Sequence, residues 1–425
     1  MKHILYIAPH SFPIKSSESI SNSKVAYVLA KAGYQVDCFT LDEGGDYPVD
    51  ESINSILSSP SNLHVINVCP SNKLKSKHSF YDIVKYIIKQ IPSMIKTGYV
   101  SLGIGISYDI VKAIKSRILE TGGMKYDVMI TRGFYTEYAG IYMSKKYGLK
   151  WIANWNDPYP VKKFPAPYGQ GYNAKLSFFE NKLYRDIQKF ATVHTFPNPR
   201  LRDYMLKCFS LVDKKATAVV PHMAITAFSQ GGKKKDPHIF TVVHCGTVSA
   251  PRNPLQFLTA LSNLKKKGIL DSYVFQVKCY FIGRFDSTMS DLIDDLDLND
   301  VVESIESKPY SECQDFMANS DVSLIIEAIC EEGIYLPTKF VDSLQVNLPV
   351  FCVSPKNGML HDYVSEYKCG YFCDNESVDS IEKQLVVMLE DYSNNSMPIV
   401  DEERQAYFFS DSILAQYDIL FNRLQ

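Results

Sequence analysis

The amino-acid sequence predicts an α/β protein built from two Rossmann-like domains that face each other across a cleft. The chain has 425 residues, which is more than one hydrophobic core ordinarily serves, so two or three domains are expected. Strand and helix patterns alternate over roughly the first two hundred residues, which favours a parallel sheet covered by helices. The same alternation begins again after a hydrophilic segment near residue 230.

The first domain is predicted to span residues 1–228. A strand at 3–7, a helix at 18–32 and a strand at 36–40 form a βαβ unit, which implies parallel strands and a right-handed crossover. The alternation continues with strands at 64–68, 127–131, 151–154 and 192–196, and with helices at 137–147 and 178–190.

A linker is predicted at residues 229–237, where Gly, Lys and Pro follow one another without periodicity. The second domain then spans residues 238–400, with strands at 239–244, 273–282, 302–305, 322–326 and 348–353 and a helix at 255–266. The last segment, 401–425, is expected to be a helical stretch that folds back on the first domain.

The net charge and the cysteine content indicate which kinds of partner and which cellular compartment are expected. The formal net charge is −2, so no global field attracts nucleic acid, and any anion must be bound by a local site. The ten cysteines are scattered, several of them within apolar strand-like runs, which is typical of reduced thiols in a cytoplasmic protein. Cys369 and Cys373 form a C-x3-C pair, but no second pair stands at ligand spacing, so no metal site is predicted.

Residues 72–120 are amphipathic and locally basic. Two interpretations remain open. The segment is either a surface helical insertion with solvated lysines, or a patch that lies on an anionic membrane or receives a lipid-linked substrate. The start of the chain is interpreted as a strand rather than a signal peptide, and no apolar run is long enough to span a membrane.

Several segments, in this order, carry a resemblance: "PHSFPIKSSESISNSKVAYVLAKAGYQVDCFT", "WIANWNDPYP", "AVVPHMAI", "VVHCGTVSAPRNPLQFLTAL" and "EEGIYLPTKFVDSLQVNLPV". Over nearly its whole length the chain resembles the GT-B glycosyltransferases of the retaining family-4 type, a group that serves bacterial polysaccharide and glycan biosynthesis. The resemblance implies an N-terminal acceptor-side domain and a C-terminal domain that binds a nucleotide sugar.

The donor side has three basic candidates. Gly246 follows a buried strand and Arg252 stands six residues further on; glycine lets backbone N–H groups approach a phosphate, and arginine offers a bidentate fork. Lys339 is expected at the third position of a helix opened by Pro337 and Thr338, where a docked diphosphate would meet its charge. The plainer alternatives are an ordinary turn and a surface lysine.

Gly283-Arg284 is a weaker second example of a strand-end glycine beside a basic residue, and it adds Arg284 to the donor-binding candidates.

The acidic candidates come from the resemblance. The family pattern is Glu-x7-Glu, in which the first acid contacts the sugar and the second the ribose. Alignment through "NLPV" puts Asp342 on the second position and Ile334 on the first. Ile334 cannot hydrogen-bond a sugar, so Glu331 or Glu332 is expected to reach in if the loop differs by a few residues.

On the acceptor side the resemblance points to the loop after the first strand and to a polar residue after a middle strand. In the loop, Ser16, Ser17 and Glu18 can hydrogen-bond a substrate, and Ser17 or Glu18 can also cap the following helix. Asp157 lies where the family places a His or Asp near the anomeric carbon, although Asp before Pro is also a common start of a turn. The neighbouring Trp155 and Tyr159 either stack on a sugar or pack the loop.

The resulting hypothesis is an enzyme, a glycosyltransferase that moves a sugar from a nucleotide-diphosphate donor to a hydroxyl of a glycan or lipid-linked acceptor. By resemblance it retains anomeric configuration and needs no cofactor or metal, because Arg252 and Lys339 neutralise the leaving diphosphate while Asp157 works at the reacting carbon. Two alternatives with the same fold stay open: a sugar-nucleotide 2-epimerase and a non-catalytic partner subunit. A nicotinamide-dependent oxidoreductase is disfavoured because no G-x-G-x-x-G follows the first strand.

Overall fold

The chain folds into two compact units in a computed structural model, which describes residues 2–12, 14–42, 48–72, 79–226, 235–285 and 288–424. The first unit comprises the residues up to Pro165, Gly169–Pro221 and the residues from Ile413 onward, and the second comprises Ala166–Tyr168 and His222–Ser412. The N-terminal part of the first unit ends at Pro221, whereas the sequence predicts the boundary at residue 228. Most of the predicted linker, residues 229–234, lies outside the described residues.

Within the described residues, the first unit contains a seven-stranded sheet in the order β3-β2-β1-β4-β5-β6-β7. Every neighbouring pair is parallel, as the βαβ pattern predicts. The strands are β1 (His3–Ile7), β2 (Gln35–Leu41), β3 (Leu63–Val68), β4 (Val128–Arg132), β5 (Lys150–Asn154), β6 (Val193–Phe196) and β7 (Thr217–Val219).

The helices of the first unit connect these strands. They are α1 (Ser17–Lys31), α2 (Glu51–Leu57), α3 (Phe80–Thr97), α4 (Ile104–Glu120), α5 (Glu137–Tyr147), α6 (Phe178–Phe190) and α7 (Pro199–Cys208). The segment predicted as one insertion at 72–120 therefore holds two helices. Gly98 separates them, because it ends α3 in a left-handed conformation at φ +74° that glycine adopts readily.

The second unit repeats the architecture, with six described strands in the order β10-β9-β8-β11-β12-β13, all parallel. Its strands are β8 (Ile239–Cys245), β9 (Gln276–Gly283), β10 (Val302–Glu306), β11 (Val322–Ile326), β12 (Val350–Ser354) and β13 (Gly370–Asp374). Its helices are α8 (Leu255–Lys266), α9 (Thr288–Asp295), α10 (Tyr310–Ala318), α11 (Thr338–Leu344), α12 (Met359–Tyr367) and α13 (Val378–Ser393).

The last helix, α14, spans Ser410–Arg423, and from Ile413 onward it belongs to the first unit. Its contacts with that unit are polar as well as apolar: Tyr34 donates its hydroxyl hydrogen to Asp418, and Lys2 donates to the carbonyl of Phe421 at 3.0 Å. Tyr417 is 1% exposed. The helix starts later than the predicted 401, and the residues before Ile413 pack in the second unit.

A buried carboxylate ties β2 to neighbouring elements of the first unit. Asp37 is fully buried and accepts hydrogen bonds from Arg117 Nε at 3.1 Å and from the Tyr126 hydroxyl at 2.8 Å, while His64 Nδ1 lies 2.8 Å away. Burial acts to raise the pKa of Asp37, but the hydrogen bonds from Arg117, His64 and Tyr126 outweigh it and lower the pKa below its ordinary value.

Replacing Asp37 with asparagine is expected to lower the free energy of unfolding by roughly 1–3 kcal/mol at neutral pH, because the partners of the carboxylate lose an ionised acceptor. Since the folded-state pKa lies below the ordinary value of 3.8, this stabilisation is present above that value and is lost as pH falls through the folded-state pKa. Urea unfolding at several pH values should therefore show the difference between wild type and Asp37→Asn shrinking in acid.

Glu120→Gln is the matched control, because Glu120 contacts the same Arg117 but is 65% exposed. It should change stability little at any pH. An Asp37→Asn variant as stable as Glu120→Gln at neutral pH would contradict the assignment.

Candidate functional site

The carboxyl ends of β8, β9 and β11 lie at one edge of the second sheet, because all three strands are parallel. Gly246 follows β8, and its N–H donates to the carbonyl of Ile282 at 2.7 Å. Gly283 ends β9, and Glu327 follows β11. This edge is where ligands bind in doubly wound sheets.

Gly246 and Lys339 are brought together here, although they lie far apart in the sequence. Gly246 has φ +139°, and a Cβ added to it would lie 2.4 Å from Cε and 2.6 Å from Nζ of Lys339. A side chain on Gly283 would meet the carbonyl oxygen of Gly246 at 2.2 Å. Gly246 therefore provides the room that the lysine occupies, and Gly283 allows the Gly246 backbone to approach closely.

Lys339 lies in the first turn of α11, with one difference from the prediction. Pro337 is the residue before the helix, in an extended conformation, so Lys339 is the second helical residue and Thr338 the first. No side chain caps this helix start. Thr338 is only partly buried.

The charged side chains at this edge are two cations, Arg252 and Lys339, and two acids, Glu327 and Asp342. Arg252 pairs through Nε with Glu327 Oε1 at 3.1 Å, and the carboxylate side chain is only 9% exposed. Burial lowers the pKa of Lys339, and the like charge of Arg252 lowers it further, against the opposing effect of Glu327 and Asp342. Two cations are thus held near each other in a partly desolvated place, an arrangement that favours a multiply charged anion.

His244 belongs to the same cluster. Its side chain is buried, and Nδ1 lies 2.9 Å from the carbonyl oxygen of Leu324, so this nitrogen donates. Burial, and then the positive charge of Lys339, lower the pKa of His244 to about 3. The imidazole is therefore neutral at physiological pH.

Asp342 is held by its neighbours. It is 8% exposed and accepts a hydrogen bond from the Tyr310 hydroxyl at 2.6 Å. Gln345 donates in turn to the Tyr310 oxygen at 3.3 Å and to Gln314 at 2.7 Å. The carboxylate is positioned by a buried network, and its predicted contact with ribose remains a prediction.

The remaining donor-side candidates have different surroundings. Ile334 is fully buried, next to Gly333, whose backbone pairs with Asn357 and Met359. Glu331 is exposed and Glu332 partly exposed. Burial, then the charge of Glu327 and less strongly that of Glu332, raise the pKa of the Cys330 thiol to about 11, and this thiol donates to the carbonyl of Glu332 at 3.4 Å.

Arg284 is exposed. Its carbonyl accepts from the N–H of Val248 at 3.0 Å, and its guanidinium forms no ion pair with any residue that the structure describes. Arg284 thus contributes a backbone hydrogen bond, and its side chain does not take part in the Arg252–Glu327 pair.

A second group of candidate residues lines a pocket within the first unit. The pocket follows the carboxyl ends of β4 and β5, and its lining residues are Glu18, Gly133, Phe134, Asn154, Trp155, Asn156, Asp157, Pro158 and Tyr159. Glu18 and Asp157, predicted separately, therefore face one space. Ser17 is exposed.

Ser16 caps α1: its hydroxyl accepts from the N–H of Ser19 at 3.0 Å. The proposed capping role for Ser17 or Glu18 is therefore wrong, and the reason is that the helix begins one residue earlier than expected, at Ser17. Glu18 is left with its carboxylate turned to the pocket.

A buried arginine that sequence reasoning missed contacts one of the pocket residues. Arg132 is 3% exposed; its Nε donates to Asn22 Oδ1 at 2.7 Å, and its Nη2 lies 3.3 Å from Ser21 Oγ and 3.4 Å from Asn156 Oδ1. The signal available in the sequence was its position at the end of a predicted strand.

Glu18 has an unusual protonation equilibrium. Burial is the largest cause that raises the pKa of Glu18 to about 7, and the negative charge of Asp157 adds to it, whereas Arg132 and a hydrogen bond with Asn22 oppose the rise. Gly133 leaves room for the carboxylate, since a Cβ there would lie 2.1 Å from Glu18 Oε1. Such an acid can exchange a proton near neutral pH.

The aromatic residues of the pocket are used for packing. Trp155 is 7% exposed and donates through Nε1 to His194 Nδ1 at 3.0 Å, and its ring lies 5.1 Å from that of Tyr159. Between stacking on a sugar and packing the loop, the structure favours packing for Trp155.

Within the described residues, no group of three or more His, Cys, Asp or Glu side chains is arranged to hold a metal ion. All ten cysteines are free thiols.

Residues 225–405 match the family described as "Glycosyl transferases group 1". Among curated proteins, the chain is similar to the putative colanic acid biosynthesis glycosyltransferase WcaL of Escherichia coli (strain K12), with 22% identity over 171 residues. That similarity covers 37% of this chain and 42% of WcaL, so the chain spans less than half the length of this curated relative.

Two solved structures share the architecture. Sucrose-phosphate synthase from Thermosynechococcus elongatus matches with a TM-score of 0.69 at 13% identity, over 100% of this chain and 99% of that one. HepE from Anabaena, solved in complex with UDP and glucose, matches with a TM-score of 0.66 at 11% identity over 100% of both chains. The predicted GT-B fold is therefore confirmed, and the match of residues 225–405 to the group 1 family supports the predicted glycosyltransferase activity.

Proposed function

We propose that the protein transfers a sugar from a nucleotide-diphosphate donor to a hydroxyl group of a glycan or lipid-linked acceptor. The observation that carries this proposal is the pair of cations, Arg252 and Lys339, held beside Gly246 with Glu327 as their nearby acid. Support comes from the group 1 domain match and from relatives named for colanic acid biosynthesis and solved with UDP and glucose.

Arg252 and Lys339 act on the leaving group in this proposal. As the bond between the sugar and the diphosphate lengthens, negative charge grows on the phosphate oxygens, and two preorganised cations stabilise it more than they stabilise the bound donor. Each cation is already desolvated or paired, so little reorganisation is needed. The transfer is thereby proposed to be metal-independent and dissociative, with the acceptor oxygen attacking from the face the diphosphate leaves, which retains configuration.

The pocket of the first unit is proposed to take the acceptor. A hydroxyl oxygen becomes a better nucleophile when a base removes its proton, and Glu18 and Asp157 are the acids that face this space. With a pKa of about 7, which the negative charge of Asp157 helps to raise, Glu18 can accept that proton near neutral pH.

A membrane location completes the proposal: the enzyme works in the cytoplasm, at the inner face of a membrane that carries its acceptor. Free thiols at all ten cysteines suit a reducing compartment. Within the described residues, no helix combines the length and hydropathy of a membrane span, so the proposed contact is peripheral.

One observation favours a second candidate, a GT-B subunit that binds no donor: the position aligned with the sugar-contacting acid is Ile334, and it is fully buried. Calorimetry with UDP, GDP and their sugars separates the two, because absence of binding to all of them would support the subunit.

Lys339→Ala is expected to reduce transfer by about 10²–10³-fold, because it removes charge stabilisation realised mainly in the transition state. Mass spectrometry over a panel of donors and acceptors, with epimerised donor monitored in the same samples, measures transfer and tests the epimerase alternative. Lys308→Ala is the matched control, since Lys308 pairs only with its helical neighbour Glu312 in the described residues. Turnover by Lys339→Ala equal to that of Lys308→Ala would refute the proposal.

The pH dependence of kcat/KM tests the role of Glu18. If the Glu18 carboxylate accepts the proton, kcat/KM should rise with pH through about 7, the pKa of Glu18. Glu18→Gln should lower kcat/KM roughly 10²-fold and remove this pH dependence. Asp157→Asn removes the negative charge that raises this pKa, so the remaining activity should reach its plateau at lower pH. If the acidic limb of the pH profile is unchanged in both variants, Glu18 is not the base. Ser17→Ala is the control, because Ser17 is the exposed neighbour of Glu18.

A further inference from the structure

Helix α3 presents an apolar stripe to solvent. Its members recur every three or four residues and so lie on one side of the helix: they are Phe80 (81% exposed), Val84 (37%), Ile88 (59%), Ile91 (46%) and Ile95 (76%). Exposed apolar side chains are common singly, but a contiguous set along 18 residues of helix, about 27 Å, indicates an interaction surface.

The opposite face of α3 fixes this orientation. Tyr86 and Gln90 are the buried residues of the helix. Tyr86 donates its hydroxyl hydrogen to the carbonyl of Leu102 at 2.7 Å, and Gln90 Oε1 accepts from the N–H of Gly105 at 2.8 Å. Rotating the helix to bury the stripe would break both bonds, so the stripe faces outward as part of the folded unit.

The fold adds a second segment to this surface. Phe178 and Phe179 open α6 and are 83% and 56% exposed. One turn after Phe179, Lys182 donates to the carbonyl of Gly98 at 2.7 Å, which brings the start of α6 to the end of α3. Val100 and Leu102 lie in the segment between α3 and α4 and are 42% and 58% exposed. The apolar surface therefore includes residues outside the segment 72–120.

Lysines border one edge of the stripe. Lys85, Lys89 and Lys96 follow one another at helical spacing and are exposed. Lys85 and Lys89 form no ion pair with a residue that the structure describes, and the Lys96 ammonium lies 5.6 Å from the Tyr108 ring. The acid of this helix, Asp82, is occupied in the cap with Ser79. The edge thus carries unneutralised positive charge.

We propose that this surface, the α3 stripe with its lysine edge and the Phe178–Phe179 pair, lies on an anionic phospholipid bilayer. Large apolar side chains beside lysines suit the boundary between acyl chains and anionic headgroups. The same face of a second copy fits less well, because it would offer the same lysines, and the acid of its helix, Asp82, is engaged with Ser79. The inference deepens the proposed function by placing the enzyme where a lipid-linked acceptor resides, but the binding itself needs no donor.

Vesicle flotation with the full chain tests this surface without relying on activity. Wild type should float with vesicles of phosphatidylcholine and phosphatidylglycerol and should bind weakly to phosphatidylcholine alone. Phe80→Ser combined with Ile88→Ser and Ile95→Ser should weaken binding at least on the order of tenfold. Lys85→Gln combined with Lys89→Gln and Lys96→Gln should lose on the order of fivefold per lysine at low ionic strength, together with the dependence on phosphatidylglycerol.

Val274→Ser combined with Ile399→Ser is the matched control, because these side chains are 92% and 59% exposed in the other unit. It should bind like wild type. Phe178→Ser with Phe179→Ser should weaken binding independently of the α3 variants. All substituted side chains are exposed, and circular dichroism with thermal unfolding verifies that each variant folds.

Equal flotation of wild type and the α3 variants would overturn the proposal. A second result would also overturn it: wild type does not bind vesicles and is a dimer by light scattering, and the α3 serine variant is a monomer. The surface would then be occupied by a second copy of the chain. The outcome is separable from that of the proposed function: Lys339→Ala should still float, and the α3 variants should still transfer sugar to a water-dissolved acceptor if only the membrane contact is lost.

Discussion

The parallel pairing of both sheets is the constraint on which the two candidate sites depend. In a parallel sheet every strand ends at the same edge, so residues distant in sequence meet there without any local signal that links them. In the second unit this edge collects Gly246, Gly283 and Glu327 from three strands. In the first unit it collects Gly133 after β4 and Asp157 after β5.

Incomplete neutralisation distinguishes both sites from ordinary buried ion pairs. A buried charge is normally balanced by its neighbours, because desolvation is costly. Asp37 illustrates balance: its hydrogen bonds outweigh burial, and its pKa falls. Lys339 and Glu18 illustrate imbalance, since the pKa of the lysine falls and that of the acid rises toward neutrality. The shifts have opposite consequences: the second unit favours an added anion, whereas the first holds an acid able to take a proton.

Sequence patterns predicted the strands and helices well because parallel strands are continuous apolar runs bounded by turns. Two strands, β7 and β13, were not predicted, and the other errors lie at the ends of elements. The strand predicted at 348–353 starts at Val350, because Pro349 has no N–H to donate to a neighbouring strand. The α1 start was placed one residue late because Ser16, Ser17 and Glu18 are all acceptable caps, and only the backbone geometry selects Ser16.

Within the site, Gly246, Arg252 and Lys339 could be predicted because glycine and basic residues at strand and helix ends have a known use. Arg132, Glu327 and His244 could not be assigned, since a charged or polar residue after an apolar run is equally consistent with a surface position. Their burial comes from tertiary packing: α14 brings Tyr417 to within 3.4 Å of Arg132 from nearly three hundred residues away, a distance in sequence that no periodicity encodes.

The same packing narrows which acid can contact the donor sugar. Ile334 is fixed in the core by the backbone pairing of Gly333 with Gly358, so the loop cannot shift an acid into that position without breaking the pairing. Glu327 is engaged with Arg252, and Asp342 with Tyr310. Glu331 is exposed, whereas Glu332 is partly exposed and accepts through its carbonyl from the Cys330 thiol. With Glu327 and Asp342 held by these partners, the sugar contact stays a prediction for Glu331 or Glu332, and the pairing of Gly333 with Gly358 fixes the backbone directly after them.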